Sequence, residues 1–206
     1  MSILIGSIGA VFQTKLKRII IYSSISNLAL FISFMFVNTF YSIIFFFLTL
    51  VIYSISMFGL FSVFLFFYSN NGFCLRKINS LANFFFLNKY AAVCFCVIMF
   101  SLAGMPPFIG FITKFINLLI LTEFNTLNFI LLIFILASTL FTNFYYLRLI
   151  KIMFINNFKN FIFILPINFY LSLFIVSVTL FLCISVFYMD FFINFISFFL
   201  EDTYAY

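Results

Sequence analysis

Residues 101–114 read Ser-Leu-Ala-Gly-Met-Pro-Pro-Phe-Ile-Gly-Phe-Ile-Thr-Lys, within an apolar run that extends from 90 to 121. A run of this length is too long for one straight membrane crossing, which needs about 20 residues. Pro106 and Pro107 cannot donate hydrogen bonds to the preceding turn, and Gly104 adds backbone freedom. The stretch therefore predicts a helix that is broken from Gly104 to Pro107. A simple proline kink, as in many membrane helices, is the alternative interpretation.

The composition indicates a membrane protein. Of the 206 residues, 67% are apolar and only 7% are charged, and the mean hydropathy is +1.34. Because a soluble domain has about 25% charged residues, this chain could not cover a water-exposed surface. We predict an all-α integral membrane protein with about five full transmembrane helices plus one N-terminal partial helix.

The apolar runs give the bounds of these helices. Residues 1–12 reach only about half way across a bilayer at 1.5 Å per residue, so they predict the partial helix. Pro166 suits the first turn of the last helix, where its missing N–H costs nothing. The full crossings are predicted at 19–37, 42–68, 90–121 (the broken helix), 127–150 and 166–200.

The basic residues follow the positive-inside pattern. Nine of the ten lie in three gaps that alternate with gaps lacking Lys and Arg, and Glu123, Glu201 and Asp202 belong to the non-basic side. The charge is therefore not clustered on one solvated face, as a nucleic-acid partner would require. The nine residues are Lys15, Lys17, Arg18, Arg76, Lys77, Lys89, Arg148, Lys151 and Lys159.

Lys114 is the tenth basic residue, and it lies inside an apolar segment. A lysine at a helix centre costs about 2.5–3.5 kcal/mol on insertion scales, and it normally faces a bundle interior or a water-filled cavity. Such an amine can gain and lose a proton, so Lys114 is the candidate proton-transfer residue. The alternative is a lysine that snorkels to the interface, although seven further residues separate it from Thr122.

A second polar group consists of Tyr22, Ser23, Ser24 and Asn27. Ser23 and Ser24 precede Asn27 by four and three positions, which places them on one helix face. These side chains could hold water along a proton path, and plain interhelical packing is an equal alternative.

No metal site is predicted, because the chain has no histidine and its four cysteines lack zinc or iron–sulfur spacing. We expect the cysteines to pack as small apolar residues. They are Cys74, Cys94, Cys96 and Cys183.

Four stretches resemble consecutive landmarks of one family. In order and spacing they are similar to the antiporter-like subunit 2 of respiratory complex I, the bacterial subunit N, a member of the proton-pumping NADH:ubiquinone oxidoreductase. The Lys114-Phe115 pair favours this subunit over its paralogues. The stretches are Gln13–Arg18, Tyr22–Ser26, Ser101–Pro107 followed by Gly110–Phe115, and Asn143–Arg148.

The resemblance implies roles for these residues. Lys114 would be the proton-exchanging lysine of the broken helix, with Gly104, Pro106, Pro107 and Gly110 forming the break. Such a chain would serve an H⁺-translocating NADH:ubiquinone reductase without redox chemistry of its own. It would carry no cofactor, because NADH, flavin, iron–sulfur clusters and ubiquinone are expected on other subunits.

The resemblance covers only the C-terminal half of such a subunit. It implies an N-terminal half on a separate chain, neighbouring antiporter-like membrane-arm subunits and membrane lipids as partners. It also implies a multi-pass location in the mitochondrial inner membrane, with the basic loops on the matrix side. The end of the predicted helix at Arg148, with Tyr145 and Tyr146, would have a structural role.

One residue departs from the family and keeps alternatives open. The family often has histidine where this chain has Asn27, which cannot titrate near neutral pH but can orient a water. One alternative is a subunit of a multisubunit cation/proton antiporter, which has no redox partner. The other is a structural membrane-arm subunit without proton transfer.

Overall fold

The computed structural model describes residues 1–37, 39–71, 78–82, 84–122, 126–155 and 169–204, and within them it is helical. The predicted all-α class is therefore confirmed. A short 3₁₀ helix covers Ile78–Leu81. The α-helices are α1 (Ser2–Phe12), α2 (Leu16–Met35), α3 (Phe40–Asn71), α4 (Phe84–Leu87), α5 (Lys89–Ala103), α6 (Ile109–Thr122), α7 (Thr126–Ile155), α8 (Phe169–Ile184) and α9 (Met189–Tyr204).

Within the described residues, α2, α3 and α7 are each long and apolar enough to cross a membrane. The bent pair α8 and α9 would make a fourth crossing. With 15 and 14 residues, α5 and α6 each fall short of the length of a full crossing. Large apolar side chains such as Ile32, Phe58 and Leu140 are exposed on the helices, as expected for surfaces that face lipid. The chain is an integral membrane protein.

The predicted break is present between α5 and α6. Gly104 has φ of +78°, a left-handed conformation that suits glycine because a Cβ would be strained there. The N–H groups of Gly104 and Met105 both donate to the carbonyl of Phe100, at 3.0 and 3.2 Å, and Gly104 N–H also lies 3.2 Å from the Ser101 carbonyl. This Schellman arrangement ends α5 before the two prolines.

Close backbone packing holds the two half-helices together. A Cβ added at Gly110 would overlap the carbonyl of Ser101, so α6 begins directly against the last turn of α5. Phe100 and Phe108 stack across the break, with ring centroids 5.7 Å apart. Behind the break, α5 contacts α3, α7 and α8 and buries Phe95 and Ile98 completely.

The described parts of the three basic gaps meet at one end of the bundle. The guanidinium of Arg148 on α7 donates to the carbonyl of Val11 in the last turn of α1, at 3.1 Å. The N–H of Ile78 donates to the carbonyl of Thr14, also at 3.1 Å. These bonds bring the segments after α1, before α5 and at the end of α7 together, and we call this region the basic end. The opposite region, with the loop after Met35 and Thr122, is the non-basic end.

One predicted span is bent. The described part of the apolar run 166–200 does not form one straight helix, because the chain turns by 90° between α8 and α9. The N–H of Ser185 donates to the carbonyl of Phe181 at the end of α8. In the turn that follows, the N–H of Phe187 donates to the carbonyl of Ile184. The turn contains neither glycine nor proline, so the hydropathy pattern does not reveal it.

The other predicted bounds differ from the observed ones by a few residues. Predicted 19–37 corresponds to α2, 42–68 to α3 and 127–150 to α7, each of which starts earlier than predicted. Several residues named above lie outside the described part of the chain, or have side chains outside it. They are Cys74, Arg76, Lys77, Glu123, Lys159, Pro166, Glu201 and Asp202.

We expect Gly110→Ala to destabilise the protein strongly, because the added methyl group meets the fixed backbone of Ser101. Overpacking of this kind costs about 1–3 kcal/mol. Gly59→Ala is the matched control, since the atoms nearest to its Cβ would belong to the side chains of Val178 and Ile98, which can move. The thermal stability of the purified membrane protein, and the amount assembled, should fall further for Gly110→Ala. Equal losses in the two variants would contradict the close packing at the break.

Candidate functional site at the helix break

The end of α5 leaves two backbone carbonyls without helical partners. The Schellman bonds occupy the carbonyls of Phe100 and Ser101. Those of Leu102 and Ala103 face the break, where Pro106 and Pro107 have no N–H to offer. An unpaired carbonyl in a membrane interior costs several kcal/mol, and the end of a helix also carries partial negative charge. This position therefore favours a cation.

Lys114 provides that cation. Its ammonium donates to the carbonyl of Ala103 at 2.5 Å and to that of Leu102 at 3.3 Å. The hydroxyl of Thr142 on α7 lies 3.5 Å from the same nitrogen. All three acceptors are neutral oxygens, and the lysine side chain is partly buried among them. The ammonium group of a side chain on α6 thus satisfies the free carbonyls at the C-terminal end of α5.

The absence of a side chain at Gly104 leaves room for the lysine. A Cβ at Gly104 would lie only 2.6 Å from Cδ and 3.0 Å from Cε of Lys114. The aliphatic part of the lysine therefore crosses directly over this glycine before its nitrogen reaches the two carbonyls. Gly104 serves both the left-handed turn and the passage of the side chain.

A cavity of about 40 Å³ adjoins Lys114. That volume holds roughly three waters if polar groups are available to bind them. Polar side chains from four helices line it, together with apolar ones from α2, α3 and α5. The polar ones are Asn27 of α2, Thr49, Tyr53 and Ser56 of α3, Ser101 of α5, and Thr113, Lys114 and Asn117 of α6.

Tyr53 gives this cavity an unsatisfied polar group. Its hydroxyl is buried and has no hydrogen-bond partner among the described residues. A buried hydroxyl without a partner is costly, and an ordered water is the usual remedy. Since Tyr53 lines the cavity beside Lys114, the structure favours a hydrated rather than an empty space there.

The structure separates the predicted polar group into two parts. Asn27 is buried and lines the cavity beside Lys114. Ser23 and Ser24 donate to carbonyls of their own helix, at 2.8 and 2.7 Å. The ring of Tyr22 packs closely beside Gly9 of α1. Of the four, Asn27 alone is among the side chains that line the cavity.

Sequence reasoning missed Asn117, Tyr53 and Thr142. A signal existed for Asn117, because it follows Lys114 by three positions and so shares its helix face. Tyr53 and Thr142 lie on other helices, and only their packing brings them to the break. Among the described residues, no three His, Cys, Asp or Glu side chains group as a metal site would require.

A broken membrane helix with an internal lysine recurs in proteins that move ions or protons. Residues 1–142 match the family described as NADH:quinone oxidoreductase/Mrp antiporter, TM. The chain belongs to this family. The predicted resemblance to subunit 2, or subunit N, is confirmed by the curated relatives.

Two relatives illustrate the similarity. NADH-quinone oxidoreductase subunit N of Erythrobacter litoralis is 34% identical over 115 residues, covering 56% of this chain and 24% of the relative. NADH-ubiquinone oxidoreductase chain 2 of Aedes aegypti is 30% identical over 116 residues, covering 56% of this chain and 31% of the relative. The chain thus spans a quarter to a third of these relatives.

Solved structures share the fold over nearly the whole chain. A chain of the Mrp complex from Dietzia sp. DQ12-45-1b matches with a TM-score of 0.83 at 15% identity, covering 95% of this chain and 44% of that one. A chain of respiratory complex I from Thermus thermophilus with bound Aureothin matches with a TM-score of 0.75 at 19% identity, covering 94% and 43%.

We expect Gly104→Ala and Lys114→Ala to be strongly non-additive in stability. Gly104→Ala introduces both left-handed backbone strain, about 1–2 kcal/mol, and a collision with the lysine chain. Removing the lysine chain as well should relieve the collision, so the double variant should be more stable than the sum of single effects predicts. Thermal unfolding of the purified membrane protein measures this. Gly59→Ala combined with Lys114→Ala is the control, and it should be additive; additivity in both pairs would refute the described path of the lysine.

Proposed function

We propose that this chain is a proton-translocating subunit of the membrane arm of respiratory complex I. The observation that carries the proposal is the ammonium of Lys114, bound to the carbonyls of Leu102 and Ala103 beside a polar cavity. The relatives named as subunit N and chain 2 of NADH dehydrogenases support the choice of complex.

The lysine can hold a proton in two states. In the bound state the ammonium satisfies both carbonyls and is held against the negative end of α5. In the other state Nζ gives a proton to a cavity water and becomes a neutral amine. A neutral amine is a weaker partner for the carbonyls, so water or Thr142 must share them. Uptake of a proton reverses both changes.

Coupling to redox chemistry would be electrostatic. A positive charge that appears on a neighbouring subunit disfavours the protonated form of Lys114, and loss of that charge favours the protonated form again. The effect is strongest in a low-dielectric interior. The NADH, flavin, iron–sulfur and ubiquinone chemistry would take place on other subunits. This chain would only take up and release the proton.

We also propose the setting of the chain. Its partners would be neighbouring antiporter-like subunits, membrane lipids and an N-terminal half-subunit on a separate chain. Its location would be the mitochondrial inner membrane, with the basic end facing the matrix. The insect relative supports the mitochondrial assignment, and the grouping of basic residues at one end of the bundle supports the orientation.

A second candidate is a subunit of a multisubunit cation/proton antiporter. The fold likeness to a chain of the Mrp complex and the description of the matching family favour it. Lys114 would keep its role, but the driving force would be an ion gradient rather than electron transfer. A purely structural role is the third possibility, and Asn27 in place of a titratable residue favours it.

Lys114→Ala should remove most proton pumping while the complex still assembles. The measurement is the number of protons moved per electron by the complex in sealed vesicles, with assembly followed on a native gel. Lys89→Ala is the matched control, because Lys89 is an exposed lysine at the basic end of α5. A normal ratio in Lys114→Ala would rule out proton transfer by this lysine.

A native gel of gently solubilised membranes, stained for NADH oxidation, tests the setting. We expect peptides of this chain in the active band, together with peptides of a separate N-terminal half-subunit. Migration in a smaller complex without NADH dehydrogenase activity would favour the cation/proton antiporter. Recovery of both halves as one longer polypeptide would contradict the proposed separate chain.

A further inference from the structure

A second buried polar contact between helices lies one turn beyond Lys114. Asn117 follows Lys114 by three residues, which places it about 4.5 Å further along α6 toward the non-basic end. It lines the same cavity, and both Asn117 and Ser33 of α2 are 2% exposed. The mechanism described above does not use this pair.

The pair links α6 to α2 through four polar atoms. The amide nitrogen of Asn117 donates to the hydroxyl of Ser33 at 2.9 Å and to the carbonyl of Leu30 at 3.2 Å. The Ser33 hydroxyl lies 3.1 Å from the Asn117 amide oxygen and 2.5 Å from the Leu30 carbonyl. A hydroxyl has one proton, so it can donate to only one of these two acceptors at a time. The Ser33 hydroxyl can therefore switch between these two acceptors while both side chains stay in place.

Beyond this pair along α6 the buried side chain is apolar. Leu121 follows Asn117 on the buried face of α6 and is 1% exposed. It belongs to an apolar cluster that is separate from the main core around α5, and the half-buried Val37 that follows α2 packs against that cluster. On α6 the polar lining of the cavity thus ends at Asn117, where Ser33 contacts it, and Leu121 and Val37 form an apolar seal beyond.

We propose that Asn117 and Ser33 form the gate between the Lys114 cavity and the non-basic end of the protein. In this structure the gate is closed, because the hydrogen bonds hold α6 against α2 at the boundary of the seal. Opening requires the link to break and the two helices to separate at their non-basic ends, so that water reaches the cavity. This inference rests on the proposed proton function and adds the element that controls access to it.

The contact is suited to gating by its strength and its position. Hydrogen bonds between membrane helices are weak on average, so a link of this kind breaks and forms again readily. The Asn117 amide cannot itself titrate, so it controls passage by position rather than by holding a proton. Lys114 bonds to α5 and α7, whereas Asn117 bonds to α2, so the gate can open while the lysine stays at the carbonyls.

Ser33→Ala tests the gate with a small change. It removes the hydroxyl that receives the Asn117 amide, and passive proton leak through the complex in liposomes without NADH should rise about threefold, the effect of losing one average membrane hydrogen bond. Ser62→Ala is the matched control. Ser62 is also buried, and its hydroxyl donates to Gly59 within its own helix, α3, rather than at the contact between α2 and α6, so the leak of Ser62→Ala should stay unchanged.

Asn117→Leu tests the gate by removing the whole link. Leucine has a similar volume without polar atoms, so it cannot bond to Ser33 or to the Leu30 carbonyl, and α6 is no longer held against α2. We expect a passive leak at least as large as that of Ser33→Ala, with a lower number of protons pumped per electron. Assembly on a native gel must be normal in both variants; if Asn117→Leu does not assemble, the leak of Ser33→Ala decides the question.

The outcomes separate the gate from the proton function. If Lys114→Ala loses pumping but Ser33→Ala and Asn117→Leu behave like the wild type, the gate is refuted and the proton function stands. If Lys114→Ala pumps normally, the proton function fails, and the leak of Ser33→Ala, which needs no turnover, still tests the gate alone. The double variant Ser33→Ala with Lys114→Ala should lose the leak; a persistent leak would show that its path avoids the lysine and would contradict the gate.

Discussion

The free carbonyls of Leu102 and Ala103 are the constraint on which the rest of the site depends. A helix that ends inside a membrane leaves polar groups without water, and a lysine placed there lacks water as well. Each is unfavourable alone, and together they satisfy each other. The left-handed Gly104, the close approach at Gly110 and the paired prolines all serve this one contact, because they end α5 and bring α6 back beside it.

The same contact explains why the site needs a hydrated neighbour. An ammonium that gives up its proton weakens its hold on the carbonyls, and something polar must take its place. The cavity with Asn27 and Tyr53 provides such groups on α2 and α3. Stability and chemistry are therefore linked through the two carbonyls, since the site is stable with a proton and can release it only where water is near.

Much of this architecture could be predicted from the sequence. The composition determined the class, the two prolines located the break, and Lys114 stood out as a charge in an apolar run. The bend after α8 could not be predicted from its local residues, although the 35 residues of the run 166–200, at about 1.5 Å each, exceed the thickness of a bilayer. Tyr53 and Thr142 were missed because a hydroxyl at a lipid face and one at a cavity look alike until the helices pack.

The grouping of the basic residues has a mechanical consequence. Arg148 on α7 bonds to the last turn of α1, and the N–H of Ile78 bonds to Thr14 in the loop that follows α1. Hydrogen bonds between distant segments therefore hold the basic end together. Helix α2 starts there and extends for 20 residues, about 30 Å. With its base fixed, a tilt of only about two degrees displaces its far end by about 1 Å over that length. Because α2 is held at the charged surface, a small tilt of this helix produces its largest displacement at the opposite surface.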